Sequence, residues 1–399
     1  MSAVTIVKPQ IKQPVFGALP PLALYIHIPW CVRKCPYCDF NSHEIRREIP
    51  EANYIDGLIA DLEAALPQIW GRRVYTVFFG GGTPSVFSAA GIERILAAVR
   101  ARVSLAVDAE ITLEANPGTA EMEKFRGFRA AGVNRLSLGI QSFNPRHLKA
   151  LGRIHDDNEA RAAIEIARAN FENFNLDMMY GLPQQSVNEA LTDIGTVLSF
   201  APPHLSVYHL TIEPNTYFYR HPPALPDDDN AAQMQEAIEQ KLADAGYQHY
   251  ETSAFAQPGA QCRHNLNYWT FGDYLGIGAG AHSKLSLPGR VIRQARYKQP
   301  KQYLESALTG DVVQESHDIA VSDIGFEFMM NTLRLDKGFP VALFEERTGL
   351  PLTTILNPLE QAEQRGFIER DHQRIAPTAL GRRFLNDLLQ IFLPEELQI

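Results

Sequence analysis

The stretch Cys31-Val32-Arg33-Lys34-Cys35-Pro36-Tyr37-Cys38 holds three of the four cysteines of a 399-residue chain, with three and then two residues between them. It follows directly on an apolar run, residues 22–29 (LALYIHIP), that reads as a β-strand. Thiolates crowded at a strand end suit a soft metal centre. A tetrahedral structural zinc would need a fourth ligand, which would have to be His27 or His43. An iron–sulfur cube is held by three thiolates with its fourth iron open, and an open iron can bind a substrate or cofactor directly.

Outward from this loop, β-rich runs alternate with helical segments as far as residue 215. Strands are expected over 22–29, 74–79, 108–114, 135–140, 173–180 and 204–212. Helices are expected near 51–68, 88–102, 119–131, 156–169 and 186–200, with another over 229–245. Such alternation implies parallel strands joined by right-handed crossovers. Six units predict an α/β fold of a particular kind: a partial (β/α)6 barrel, too short for a closed eight-fold one. The glycine and polar signals recur at the same end of each strand. They are the cysteine loop, Gly80-Gly81-Gly82-Thr83-Pro84, Glu114-Ala115-Asn116-Pro117, Gln141-Ser142, Asp177 through Pro183, and Thr211 to Pro214. Sites of parallel barrels form at the carboxyl ends of their strands, so these loops are expected to share one site.

The chain divides into a flexible arm over 1–21, a barrel core over 22–245, a barrel extension over 246–300, and a C-terminal domain over 301–399. In the last, three helices, a hairpin near 367–375 and a final helix follow the order of a winged helix. That order suggests DNA, but residues 323–399 carry eight Lys and Arg against twelve Asp and Glu. A DNA-reading face should be basic, so a lid or a partner-docking element is the better expectation. The net charge of −9 likewise argues against a broad nucleic-acid surface. No apolar run is long enough to span a membrane, and the first residues lack the pattern of a signal peptide. Four cysteines, three of them clustered, do not make a disulfide framework, which points to a reducing, cytoplasmic setting.

Within the barrel, Gly81 and Gly82 offer backbone without side chains, able to approach a ligand and donate N–H groups. Glu114, Gln141, Arg153 and Asp177 supply acceptors for hydroxyls and amines and one cation for a carboxylate. The run Gly276-x-Gly-x-Gly lacks the following helix of a dinucleotide loop and reads as a glycine-rich edge of the barrel site. Beyond it in interest is the HNxxYW segment, His264, Asn265, Tyr268 and Trp269, preceded by Cys262. An imidazole beside two large aromatics could ligate haem iron and stack on a porphyrin, or simply pack as a turn.

Taken together, YIHIPWCxxxCxxCDF, GGGTP, LEANP, LGIQSF, DMMYGLP, SVYHLTIEP and the tail resemble the oxygen-independent coproporphyrinogen dehydrogenase (HemN) group of the radical S-adenosylmethionine (SAM) enzymes. The resemblance covers nearly everything beyond about residue 20. It implies that Cys31, Cys35 and Cys38 hold a [4Fe–4S] cluster, and that Tyr25, Gly81 and Glu114 bind the SAM that ligates it. Tyr37, Gly82, Thr83, Gln141, Arg153 and Asp177 match positions for a second SAM in the dehydrogenase. One departure chooses between branches. The dehydrogenase carries a further cysteine two residues after the third, where this chain has Phe40. With the short N-terminal arm and HNxxYW, that resembles the HemW branch of haem chaperones. The implied cofactors are the cluster, SAM and haem. The implied partners are a haem donor and haem-accepting target proteins, with peripheral membrane contact and a homodimer left open. The runner-up is the dehydrogenase itself, decarboxylating porphyrinogen propionates.

Overall fold

The computed structural model describes residues 13–394, with the side chains of residues 119 and 120 not described. The expected arm therefore lies mostly outside the described residues. Its end, from residue 13, runs along the C-terminal domain, where the Val15 amide donates to the Gly349 carbonyl at 2.9 Å.

One twelve-stranded sheet organises the chain. Its strands, in chain order, are β1 (Leu22–Ile28), β2 (Arg73–Gly81), β3 (Ser104–Ala115), β4 (Arg135–Gln141), β5 (Asn173–Tyr180), β6 (His204–His209), β7 (Gln248–Glu251), β8 (Ala254–Ala256), β9 (Asp273–Ile277), β10 (His282–Leu287), β11 (Arg290–Arg296) and β12 (Val313–Asp318). Strands β1 to β6 lie side by side and parallel, as the alternation required. Each crossover helix buries an apolar stripe against the sheet, as Ala160, Ala163, Ile164 and Ala167 do in the helix Asp157–Asn170. That helix opens on a capping box, in which the Asp156 side chain accepts from the Glu159 amide and Glu159 reaches back.

The extension is split between the two edges of the sheet. Strands β8 and β7 add antiparallel beside β6, whereas β9 joins the far side of β1 in parallel, followed by the antiparallel ladder β10–β11–β12. The sheet thus runs on past residue 300 to Asp318. Beyond it a second core gathers Phe328, Phe339, Phe344, Leu359 and Leu388. Its helices Val321–Thr332, Ala342–Thr348 and Leu356–Gln364 surround a three-stranded sheet, with short helices after it. No helix among the described residues is long and apolar enough to cross a membrane.

Candidate functional site

The cysteine loop leaves β1 through the two-residue strand Trp30–Cys31, which pairs with His43–Glu44. Its own backbone bonds close it: the Ser42 amide donates to the Phe40 carbonyl at 2.7 Å and the Cys38 amide to Cys35 at 3.2 Å. Lys34 straps its ends, with Nζ donating to the carbonyls of Phe40 and Ser42, each at 3.1 Å. All four cysteines of the chain are free thiols. Burial pushes the Cys31 thiol up to about 11 and raises that of Cys38, so neither ionises readily alone. Thiols of that kind suit a metal centre whose positive charge draws out the thiolates. Arg153 adds a cation, its Nη1 lying 3.6 Å from Cys35 Sγ. Of the two zinc ligands the sequence offered, His43 has a buried Nε2 without a partner, whereas His27 has both ring nitrogens in use. Its Nδ1 takes the Tyr25 hydroxyl at 3.2 Å and its Nε2 meets the Asn41 carbonyl at 2.9 Å. The donor set fits an iron–sulfur cube held by three thiolates better than a single ion.

Tyr25, Glu114, Gln141, Arg153 and Asp177 converge at this end of the sheet. Gln141 closes β4 with a φ of 70°, a left-handed value for a residue with a side chain. Strain of that sort persists where surrounding structure holds it, and it is common at ligand sites. Arg153 donates through Nη2 to Asn116 Oδ1 and the Gly139 carbonyl, both at 2.6 Å. Asn116 in turn donates to Thr83 Oγ1 at 3.0 Å. Asn116 was not singled out from the sequence, although its place in LEANP offered the signal. Asp177 accepts from Asn175 Nδ2 at 2.7 Å and from Ser137 Oγ at 3.3 Å. Tyr37 stands near Arg153 and packs on Phe218, over a small apolar cluster with Leu151, Met179, Leu182 and Leu210.

The glycine loop is fastened to the protein through its own backbone. Its N–H groups are spent inside the protein: Gly81 on the Glu114 carboxylate, Gly82 on the Ile28 carbonyl at 2.8 Å, and Thr83 on the Trp30 carbonyl at 2.8 Å. Gly81 has a φ of 115°, and a Cβ on Gly82 would stand 2.5 Å from the Trp30 carbonyl oxygen. The fold itself therefore demands both glycines, Gly81 for its left-handed backbone beside the His27 ring and Gly82 because the backbone leading into the cysteine loop crosses there in direct contact. Gly82→Val is expected to cost about 3 kcal/mol of stability, read as a lower urea midpoint. An unshifted midpoint would show that the loop yields freely.

Burial first, and then the neighbouring Asp177, push the Glu114 carboxyl up to about 8 from 4.5, against the Gly81 bond, which lowers it. A carboxyl raised on folding stabilises the folded state fully below its unfolded value and loses that contribution as pH rises through the folded one. The ligand-free protein should lose stability between about pH 5 and pH 8, and Glu114→Gln should flatten that part of the curve. Urea midpoints across this range decide it; parallel curves for the two proteins would exclude Glu114 as the source.

The HNxxYW segment lies elsewhere. Helix Arg263–Trp269 packs against β1, β2 and β9 and against the helix Val321–Thr332. Glu110, on β3, holds it by accepting from the amides of His264 at 3.0 Å and Arg263 at 3.1 Å, with Cys262 Sγ at 3.6 Å. His264 is 1% exposed, its Nδ1 2.7 Å from Thr76 Oγ1 and its Nε2 3.3 Å from the Tyr268 hydroxyl, with the ring stacked on Phe78. Burial pushes its pKa down to about 3, so the ring is neutral. Trp269 lies under the Arg334 guanidinium, and Asn265 is half-buried on the same helix. Beside it His204 bridges Asn175 and Tyr250 at 2.6 and 2.7 Å. Glu110, Arg135 and His204 were not foreseen, since a polar residue at the start of a strand carries no local mark of facing inward.

A model of the radical SAM superfamily matches residues 25–194, and one of the HemN C-terminal domain matches 320–384. The haem chaperone HemW of Escherichia coli (strain K12) is 49% identical over 379 residues, covering 94% of this chain and 99% of that one. This chain belongs to the HemW family. The HemW of Haemophilus influenzae is also 49% identical, over 384 residues, covering 95% and 99% of the two chains. Among solved structures, HemN, the coproporphyrinogen III oxidase of Escherichia coli and a radical SAM enzyme, matches with a TM-score of 0.79 at 25% identity. That match covers 94% of this chain and 90% of HemN. HemW membership agrees with the open sheet, with its site at the strand ends, and with the separate C-terminal domain.

Proposed function

We propose that this protein is a haem chaperone: it binds haem, carries a SAM-ligated [4Fe–4S] cluster, and passes haem to target haem proteins. The near end-to-end identity with haem chaperones carries the reading. Cys31, Cys35 and Cys38 would hold the cluster, with Arg153 and Lys34 offsetting its negative charge. When bound, the cluster supplies one-electron reduction and an open coordination position for SAM. Tyr25, Gly81 and Glu114 line the place for that SAM, where an ammonium group would bring the Glu114 carboxyl into its charged form. Tyr37, Gly82, Thr83, Gln141, Arg153 and Asp177 line its continuation. Free cysteines throughout suit a reducing cytoplasm, with a haem donor and haem-accepting proteins as partners.

Titration of the anaerobically reconstituted protein with haemin, with and without SAM, tests this; absence of any haem complex would refute it. The likeness to HemN favours a second reading, the coproporphyrinogen dehydrogenase. Formation of decarboxylated product from coproporphyrinogen III would establish that instead. Phe40, 60% exposed at the position of the dehydrogenase's further cysteine, speaks against it.

A further inference from the structure

Asp177 stands half-buried at the site, beside Glu114 and Tyr208, and its carboxylate is backed by a chain of buried polar groups. The alternation of a strand puts Asn175 on the same face of β5, two residues before Asp177. The parallel register then sets Ser137 of β4 against Asn175 on one side and His204 of β6 on the other. Asn175 donates from Nδ2 to Asp177 Oδ1 and to Ser137 Oγ, each at 2.7 Å. Its Oδ1 accepts from His204 Nδ1 at 2.6 Å and from Ser206 Oγ at 3.0 Å. Both protons and both lone pairs of that amide are spent, which leaves it one orientation. Because Asn175 Oδ1 can only accept, His204 Nδ1 carries the ring proton, and Nε2 accepts from the Tyr250 hydroxyl at 2.7 Å. Burial and then the charge of Arg135 hold the His204 pKa well below the usual imidazole range, so the ring is neutral and has that single proton. Tyr250 in turn accepts from the Cys262 amide at 3.2 Å. From Cys262 to Asp177, each group therefore donates to the next, toward the site. Bonds in such a chain polarise and strengthen one another in a buried setting, and Asn175 and His204 are 1% and 0% exposed.

We propose that Asn175 and His204 are positioning residues for SAM: they fix the Asp177 carboxylate through Oδ1 and so turn its remaining lone pairs toward the hydroxyl and amino donors of the ligand. The inference rests on the reading that Asp177 lines the SAM site. No ion pair does this work, since among the described residues Arg135 makes none with Asp177 and its Nε has no partner. Burial raises the Asp177 carboxyl, and Asn175 comes first among the groups that draw it back toward its charged form. The chain thereby serves the charge of Asp177 as well as its direction.

The test is equilibrium binding of SAM to the full, anaerobically reconstituted chain, with iron and acid-labile sulfide measured beside it. Asp177→Ala and His204→Phe should each weaken binding about tenfold, or about 1.4 kcal/mol, with the iron and sulfide content unchanged. In the double variant the two losses should not add, because His204 acts only through Asp177. His204→Asn, whose side-chain amide can stand in for the Nδ1 donor, should recover most of the affinity. Should His204→Phe fail to fold, Asn175→Ala, which leaves the bond between Tyr250 and His204 in place, takes its position in the cycle. Additive losses overturn the proposal, as does full affinity in the folded position-204 or position-175 variant, or a His204→Asn variant as weak as His204→Phe. Full affinity in Asp177→Ala is a different result, because it removes Asp177 from the SAM site and the positioning role with it.

Discussion

Cys35→Ser should leave the protein folded and almost without iron. The middle cysteine sits at the tip of a loop fastened elsewhere, by Lys34, by the backbone bonds of Phe40 and Ser42, and by Trp30–Cys31 against His43–Glu44. None of those fastenings uses Cys35 Sγ, which meets the side chains of Arg153 and Tyr37. A hydroxyl is a hard, weakly acidic donor that does not replace a thiolate on iron. Two remaining thiolates leave two irons of a cube without protein ligands. Iron and acid-labile sulfide, measured after anaerobic reconstitution, should fall to a small fraction of the unaltered protein's, with little change in the melting curve. A full complement of both in the serine variant would exclude this loop as the cluster's seat.

Asp61→Ala should be among the most damaging single changes away from the site, at about 3–5 kcal/mol. Asp61 is fully buried on the helix Glu51–Ile69. It accepts from Arg296 Nε at 3.1 Å, from the Tyr303 hydroxyl at 3.0 Å and from the Gly278 amide at 3.0 Å. Removing it strands a guanidinium that is itself 1% exposed. The damage should reach the cysteine loop, because residues 278–280 are also tied to it: Asn41 Nδ2 donates to the Ala279 carbonyl at 2.9 Å. The urea midpoint should drop, and iron should be lost faster to a chelator. Pairing the change with Arg296→Met should recover much of the stability, since a buried ion pair replaced by apolar groups is often neutral. If Asp61→Ala melts like the unaltered protein, the network contributes nothing of consequence.

The glycine-rich run 276–280 illustrates how sequence and fold divide the information. Its lack of a following helix was legible. Its task was not, for it depends on Asp61 and Asn41, more than two hundred residues earlier. The strands and their order from β1 to β6, the capping box at Asp156, and the gathering of polar loops at one end all follow from local chemistry. Period, caps and turn residues act within a few positions of the chain. The cysteine spacing is equally local. The two glycines beside it were visible, but the backbone crossing that requires Gly82 was not.

What the chain determined by itself was the alternation of strand and helix, the strand ends at which the polar loops gather, and the close spacing of three thiols. Tertiary structure alone decided that residues 248–256 and 273–318 add to opposite edges of the sheet. It also decided that His264 turns into a sealed layer, its ring held between Thr76 and Tyr268. The reason is physical: local signals set what each segment becomes, whereas edge pairing and the partners of buried polar groups are chosen among distant segments, by which contacts leave fewest donors and charges unsatisfied in the assembled core.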